Sequence, residues 1–243
     1  MKLNIYDLSI EVTRRCNMAC AHCLRGDAQQ KDLDLDKLEI FLKDVEYIGS
    51  ITFTGGEPTL NVPAIRETLN LCKKYGICVS SFYVVTNGKQ ITTDFLVALL
   101  EWYAYCVESG GEIETCGVTI SNDEFHDNID KHGQKMLEGL SFYCPCDKTR
   151  RWLTQGGLLN LGRARTLSSA YDRREAIDHD IQVEMHRDVI CVEDDVISFT
   201  VDGKILNCCD YEYGTEEQIK ICDFDNAVEI FTKIAKNEEE ESA

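Results

Sequence analysis

Ile10-Glu11-Val12-Thr13-Arg14-Arg15-Cys16-Asn17-Met18-Ala19-Cys20-Ala21-His22-Cys23 sets three thiols on one short stretch, directly after a run of strand-forming side chains. The spacing is Cys-x3-Cys-x2-Cys. Three thiolates on one loop can bind three corners of an iron-sulfur cube or three sites of a zinc tetrahedron. Zinc usually recruits Cys-x2-Cys pairs and closes a structural site with a fourth ligand. His22 is adjacent to Cys23 and poorly placed for that role. On a cubane, three cysteines leave one iron open to a substrate or cofactor. Cys72, Cys78, Cys106 and Cys116 are scattered singly among apolar residues and read as buried structural thiols.

The stretch belongs to a chain of 243 residues with 13 cysteines in all, too few for a disulfide scaffold but a surplus that in a reducing compartment suggests metal. Lys plus Arg number 25 against 43 Asp plus Glu, a formal charge of −18, which excludes a nucleic-acid clamp because phosphate contacts need clustered cations. Hydrophobic residues at 44% and charged residues at 28% describe a globular chain. No apolar run reaches the roughly 20 residues of a membrane span, so a soluble, cytoplasmic protein is expected.

Short β-type runs at 8–12, 51–54, 79–85, 117–120, 152–154 and 181–185 alternate with amphipathic segments. Leu38, Phe41, Leu42, Val45 and Ile48 follow the helical period. A second helix spans 95–107 with Thr93 as N-cap, and Pro63 marks the start of another. Strand and helix alternating in this way predict an α/β fold with a parallel sheet, either doubly wound or a barrel. The pattern changes after Met185. Residues 197–201, the pair Asp202-Gly203 and residues 205–207 read as a hairpin, followed by a helix at 227–235 and a solvated, frayed run of glutamates at 238–241.

The loops after successive strands carry the remaining chemistry. The cysteine stretch, with a ring just before its last Cys, resembles the signature of the radical S-adenosylmethionine (radical SAM) superfamily, where that ring is usually Tyr or Phe rather than His22. Thr54-Gly55-Gly56-Glu57-Pro58 is similar to that family's Gly-Gly-Glu-Pro motif. Thr86-Asn87-Gly88, Ser121-Asn122-Asp123 and Asn160-Leu161-Gly162-Arg163-Ala164 resemble further loops of its members. Each follows a predicted strand, and in parallel barrels the strand ends on that face build the site. Glycines at 55 and 56 would let the backbone approach a ligand closely.

The resemblance implies a partial (β/α)6 TIM-type barrel over residues 1–185, followed by a small β-hairpin plus helix over 186–243. It implies that Cys16, Cys20 and Cys23 hold a 4Fe-4S cluster, and that His22, Gly55, Gly56, Glu57, Pro58, Asn87, Ser121 and Arg163 border S-adenosylmethionine. Cys191, Gly203 and Cys208 resemble the opening half of a SPASM or Twitch auxiliary-cluster domain. A second iron-sulfur cluster on Cys191, Cys208 and Cys222 is therefore expected, completed by Cys209, Cys144 or Cys146. The implied activity is reductive cleavage of S-adenosylmethionine and hydrogen abstraction from a peptide or protein, as in maturation of ribosomally made peptides. Flavodoxin or ferredoxin would be the electron donor. Small carbohydrate or nucleoside substrates, a glycyl-radical activating enzyme, and a non-catalytic iron-sulfur or zinc regulator are the alternatives. No nucleic-acid or membrane partner is expected.

Overall fold

The computed structural model describes residues 1–127, 129–145, 157–168, 173–174 and 181–241. β1 (Lys2–Thr13) is the centre of the sheet, and its last six residues are all buried. Leu8, Ile10 and Val12 point to one face and Ser9, Glu11 and Thr13 to the other, the period of two that separates the faces of a strand. The apolar face joins the hydrophobic core, and the polar face carries the buried carboxylate of Glu11.

β2 (Val45–Gly55), β3 (Cys78–Thr86) and β4 (Gly117–Ile120) follow in parallel on one side of β1. They are linked by α1 (Leu35–Leu42), α2 (Val62–Tyr75) and α3 (Thr93–Glu108). Local chemistry sets the helix ends. The Asp34 side chain accepts from the Lys37 N–H, Pro63 lies in the first turn of α2, and Gly76 closes that helix at φ +65°, where a side chain would be strained. α3 is capped by Thr92, not Thr93, because the Thr92 hydroxyl reaches the Phe95 N–H. Trp102 of α3 is fully buried against Phe53 and Phe82, and its indole N–H donates to the Ile65 carbonyl at 3.0 Å.

Several expectations are corrected. Val45 and Ile48 belong to β2 rather than to a helix, since β1 begins at Lys2 and its edge recruits a partner from Val45 onward. Beyond β4, the next chain segment is 142–144, where the Val118 N–H donates to the Phe142 carbonyl and the Cys144 N–H to the Val118 carbonyl. The expected strand at 152–154 and Cys146 lie outside the described residues. β5 (Leu158–Leu159) and β6 (Arg173–Arg174) pair with each other in a separate small sheet. A helix α4 (Lys131–Glu138) precedes them, capped by Asp130.

The expected sixth strand, seen as β7 (Gln182–His186), does not extend the parallel run. It pairs antiparallel with β8 (Val189–Phe199) on the opposite side of β1. Gln182, Glu184 and His186 are exposed and Val183 is buried, a one-sided pattern that suits an edge rather than a strand covered on both faces. β8 in turn lies parallel to β1 along its length. The sheet is α/β and open, and it runs without a break across the expected boundary between residues 185 and 186.

The hairpin is present. β8 and β9 (Lys204–Leu206) are joined through Asp202-Gly203, with Gly203 at φ +82° and its N–H donating to the Thr200 carbonyl. A short helix α5 (Glu216–Ile219) and β10 (Lys220–Asp223) follow. α6 (Ala227–Glu241) continues through the glutamate run that was expected to fray, and the Glu238 carboxylate accepts from the Val183 N–H at 3.1 Å.

Candidate active site

Cys16, Cys20 and Cys23 follow β1 and are each half-buried on the wall of a cavity of about 330 Å³. All eight residues expected to border S-adenosylmethionine line the same cavity, from five separate loops. Burial and the neighbouring thiols of Cys16 and Cys23 push the Cys20 thiol up to about 11. Ligation there must displace a proton, so rising pH favours it. Three thiols gathered at one cavity wall fit a cluster ligated on one side and open on the other.

The loops are braced against one another. Glu57 is 1% exposed, and its carboxylate is engaged by the neighbouring strand ends. Oε1 accepts from the Thr59 N–H at 3.1 Å, the Thr59 hydroxyl at 2.7 Å and the Thr86 hydroxyl at 2.6 Å, while Oε2 accepts from the Asn87 N–H at 2.8 Å. Asn87 then extends its amide to the Asn17 side-chain oxygen at 2.8 Å, on the cysteine loop.

The two glycines also act on that loop. The Gly56 N–H donates to the Thr13 carbonyl and the Glu57 N–H to the Arg15 carbonyl. A Cβ on Gly56 would stand 2.3 Å from the Arg15 carbonyl oxygen, and one on Gly55, at φ +132°, 2.1 Å from that of Thr13. The close approach that glycine permits here is to the chain leading into Cys16. Arg163 braces the other end, donating from Nε to the Cys20 carbonyl and from a terminal nitrogen to Asp27, both at 2.9 Å, while its own N–H donates to the Cys23 carbonyl.

On the β4 side, Ser121 donates its N–H to the Thr86 carbonyl. The His22 ring packs against Phe125 at 4.6 Å between centroids, and its Nε2 lies 3.6 Å from Asp123. Burial lowers the His22 imidazole despite the attraction of Asp123. Burial also acts to raise the Asp123 carboxyl. The His126 ring, the Phe125 N–H and His22 outweigh it and hold that carboxyl at about 2.

The sequence reading missed the role of the C-terminal segment, which closes the cavity with Cys209, Asp210 and Tyr213. Arg14 is 3% exposed, donates to Glu11 at 3.0 Å, reaches Glu216 at 2.6 Å and lies over the Tyr213 ring. Arg25 lies over the Tyr211 ring at 3.7 Å and donates to its carbonyl. The only sequence trace of this arrangement is the alternation in β1, which puts Glu11 on the polar face.

A profile of the Radical SAM superfamily matches residues 10–140, more than half of the chain and the span that carries the three cysteines and the Gly55-Gly56-Glu57-Pro58 loop. The chain belongs to the radical SAM superfamily. Membership implies a 4Fe-4S cluster and S-adenosylmethionine. Among curated relatives, an uncharacterized protein of Methanocaldococcus jannaschii is 32% identical over 88 residues, covering 35% of this chain and 31% of that one. An S-adenosylmethionine-dependent nucleotide dehydratase of Flammeovirga pacifica is 37% identical over 106 residues, covering 39% and 35%. The chain thus matches about a third of the length of these relatives. Streptococcus suis SuiB bound to precursor peptide SuiA superposes with a TM-score of 0.39 at 12% identity, over 84% of this chain and 60% of that one.

In this radical SAM chain, among the described residues, Cys191 is held apart from Cys208 and Cys222. Cys191 stands opposite Asn4 of β1, whereas Phe199 stands opposite Ile10 and its neighbour Ile205 pairs with Cys222. Six residues of β1 separate the two levels, roughly 20 Å at about 3.3 Å per residue. The expected pairing rested on the hairpin turn, but Cys191 lies at the far end of β8 from that turn, against β7. Cys222 is packed in the core, the Cys208 thiol donates to the Asp210 carbonyl, and Cys209 faces the cavity instead.

Proposed function

We propose that this radical SAM enzyme holds its 4Fe-4S cluster on Cys16, Cys20 and Cys23 and acts on a peptide. When bound, the cluster and S-adenosylmethionine supply a one-electron reductive cleavage that yields a 5′-deoxyadenosyl radical competent to take a hydrogen atom from a substrate carbon. The chain's own residues orient and enclose. Gly55 and Gly56 seat the cysteine loop, Glu57 and Asn87 fix the neighbouring strand ends to it, and Arg163 holds its far side. The segment bearing Cys209, Asp210 and Tyr213 covers the cavity from the C-terminal side and limits water there. A low-potential flavodoxin or ferredoxin is the proposed electron source.

The observation that carries the substrate class is the state of the cavity's cations. Arg14, Arg25 and Arg163 line it, and all three are engaged by Glu11 and Glu216, by Tyr211, and by Asp27 with the Cys20 carbonyl. Each of these arginines already holds a protein partner, and Met18, Leu24, Val85, Leu158 and Leu159 supply apolar wall for a side chain. Among the described residues the sheet does not close into a barrel, which suits a substrate larger than the cavity. A nucleotide is the second reading, favoured by the name of the Flammeovirga pacifica relative.

The test is anaerobic reconstitution, reduction and chromatography for 5′-deoxyadenosine. Product should form slowly without substrate and disappear when all three cysteines are changed to Ala; undiminished product in that variant would refute the cluster assignment. Candidate peptides should raise the rate. Stimulation by nucleoside triphosphates alone would replace the peptide reading with the nucleotide one.

A further inference from the structure

We propose that His22, Asp123 and His126 form a mononuclear site for a divalent d-block cation, Zn2+ being the best match, on the wall of the cavity that the three cysteines also line. The sequence offered His22 as a poor fourth ligand for those cysteines; the structure gives it different partners, from the loop after β4. One nitrogen from each imidazole and one carboxylate oxygen of Asp123 all lie within 4.8 Å of one another. His126 Nδ1 is 2.6 Å from one Asp123 oxygen, and His22 Nε2 is 3.6 Å from the other.

Two imidazoles and one carboxylate are the donor set of open zinc and ferrous sites, whereas Mg2+ and Ca2+ demand more oxygen ligands than this set supplies. The ligands are also held from behind. The Phe125 N–H donates to Asp123 at 2.9 Å and fixes the carboxylate, and the Phe125 ring packs against the His22 ring at 4.6 Å between centroids, tilted by 31°, and limits its rotation. Such orienting contacts are what a metal site needs beyond its ligands. All three side chains are partly buried, so the cation would be shielded from bulk water without losing its entry path.

Three protein ligands leave a tetrahedral ion one position to fill. Because both His22 and His126 line the cavity, that position would take an oxygen or nitrogen donor of a molecule held there. The cation acts as an anchor and Lewis acid and changes no oxidation state. The proposal does not depend on which substrate the enzyme takes.

The experiment uses the full chain, first loaded anaerobically with its iron, then given Zn2+ and desalted against a weak chelator. Elemental analysis and zinc K-edge absorption are read separately from iron content and from 5′-deoxyadenosine formation. The expected result is about one zinc per chain with nitrogen and oxygen neighbours including imidazole. His126→Ala and the near-isosteric Asp123→Asn should each weaken zinc retention by at least about tenfold while iron content holds. Three results overturn the site: no zinc retained against the chelator, a sulfur-only shell, or equal retention in both variants, which would mean adventitious zinc only. The absorption spectrum of the unsubstituted protein decides even where a variant fails to fold. Failure of S-adenosylmethionine cleavage would count against the proposed function and leave this result standing.

Discussion

Glu57 separates a ligand from a brace, and the two roles predict different measurements. Glu57→Ala removes the acceptor for four buried donors, two backbone N–H groups at Thr59 and Asn87 and two hydroxyls at Thr59 and Thr86. The hydroxyls can rotate to other acceptors, but the two N–H groups cannot. At about 1–3 kcal/mol for each buried donor left unsatisfied, the expected loss is about 2–6 kcal/mol, a large part of the stability of an ordinary domain. Glu57→Gln is a sharper probe because it keeps the volume. Whichever way its amide is turned, the NH2 faces one of the two backbone N–H groups, so about 1–3 kcal/mol should still be lost. Anaerobic urea unfolding followed by circular dichroism measures both, alongside binding of S-adenosylmethionine to the iron-loaded protein. Variants as stable as the parent that nonetheless fail to bind S-adenosylmethionine would refute the brace and restore a direct ligand role.

Gly56→Val should lower iron content together with S-adenosylmethionine binding, because its side chain would meet the Arg14 and Arg15 carbonyls ahead of Cys16 rather than the cofactor; metal analysis after reconstitution checks this, and full iron with weak binding would contradict it. Cys191→Ala should leave iron per chain and deoxyadenosine yield unchanged, since β8 carries that thiol away from Cys208 and Cys222; losing iron equivalent to a second cluster would show the register argument to be mistaken. Arg163→Met should release the Cys20 carbonyl and Asp27 and so speed chelator-driven bleaching of the cluster several-fold; an unchanged bleaching rate would mean the guanidinium braces nothing.

The cysteine loop and the residues from Gly55 to Pro58 were legible because their chemistry is local: spacing within a few residues fixes what one loop can offer. The parallel order of β1 to β4 was legible from alternation for the same reason. What escaped was register. Cys191 and Cys208 are joined by a recognisable turn, yet β8 runs on past its short pairing with β9 along β1, some two hundred residues earlier in the chain, and carries Cys191 to the level of Asn4. Val45 and Ile48 satisfied both the helical period and a buried strand, and only the pairing with Leu3 and Ile5 separates the two. The grouping of His22 with Asp123 and His126 spans three crossovers, and Asp123-x2-His126 after a strand was its one trace. Glu57 was expected to border the cavity and does line it, but a sequence does not show that its carboxylate also holds Thr59, Thr86 and Asn87.

The parallel pairing of β8 with β1 bears on the order in which the chain folds. β1 leaves the ribosome well before β8, so one of its two hydrogen-bonding edges stays unpaired until residue 199 has been made. At roughly 5–20 residues per second, that interval lasts on the order of ten seconds or more. Throughout it the nascent sheet presents a long parallel edge, with Ile5, Leu8 and Ile10 along it, to any other strand nearby. Closing so distant a pair is also slow once the residues exist, since the intervening chain must be ordered before the contact rewards it. Expression should therefore suffer more from substitutions that weaken β8 than from changes in the loops between β2 and β4. Chaperone demand should fall once Phe199 has emerged, and soluble yield should depend on temperature more steeply than the stability of the finished fold would suggest.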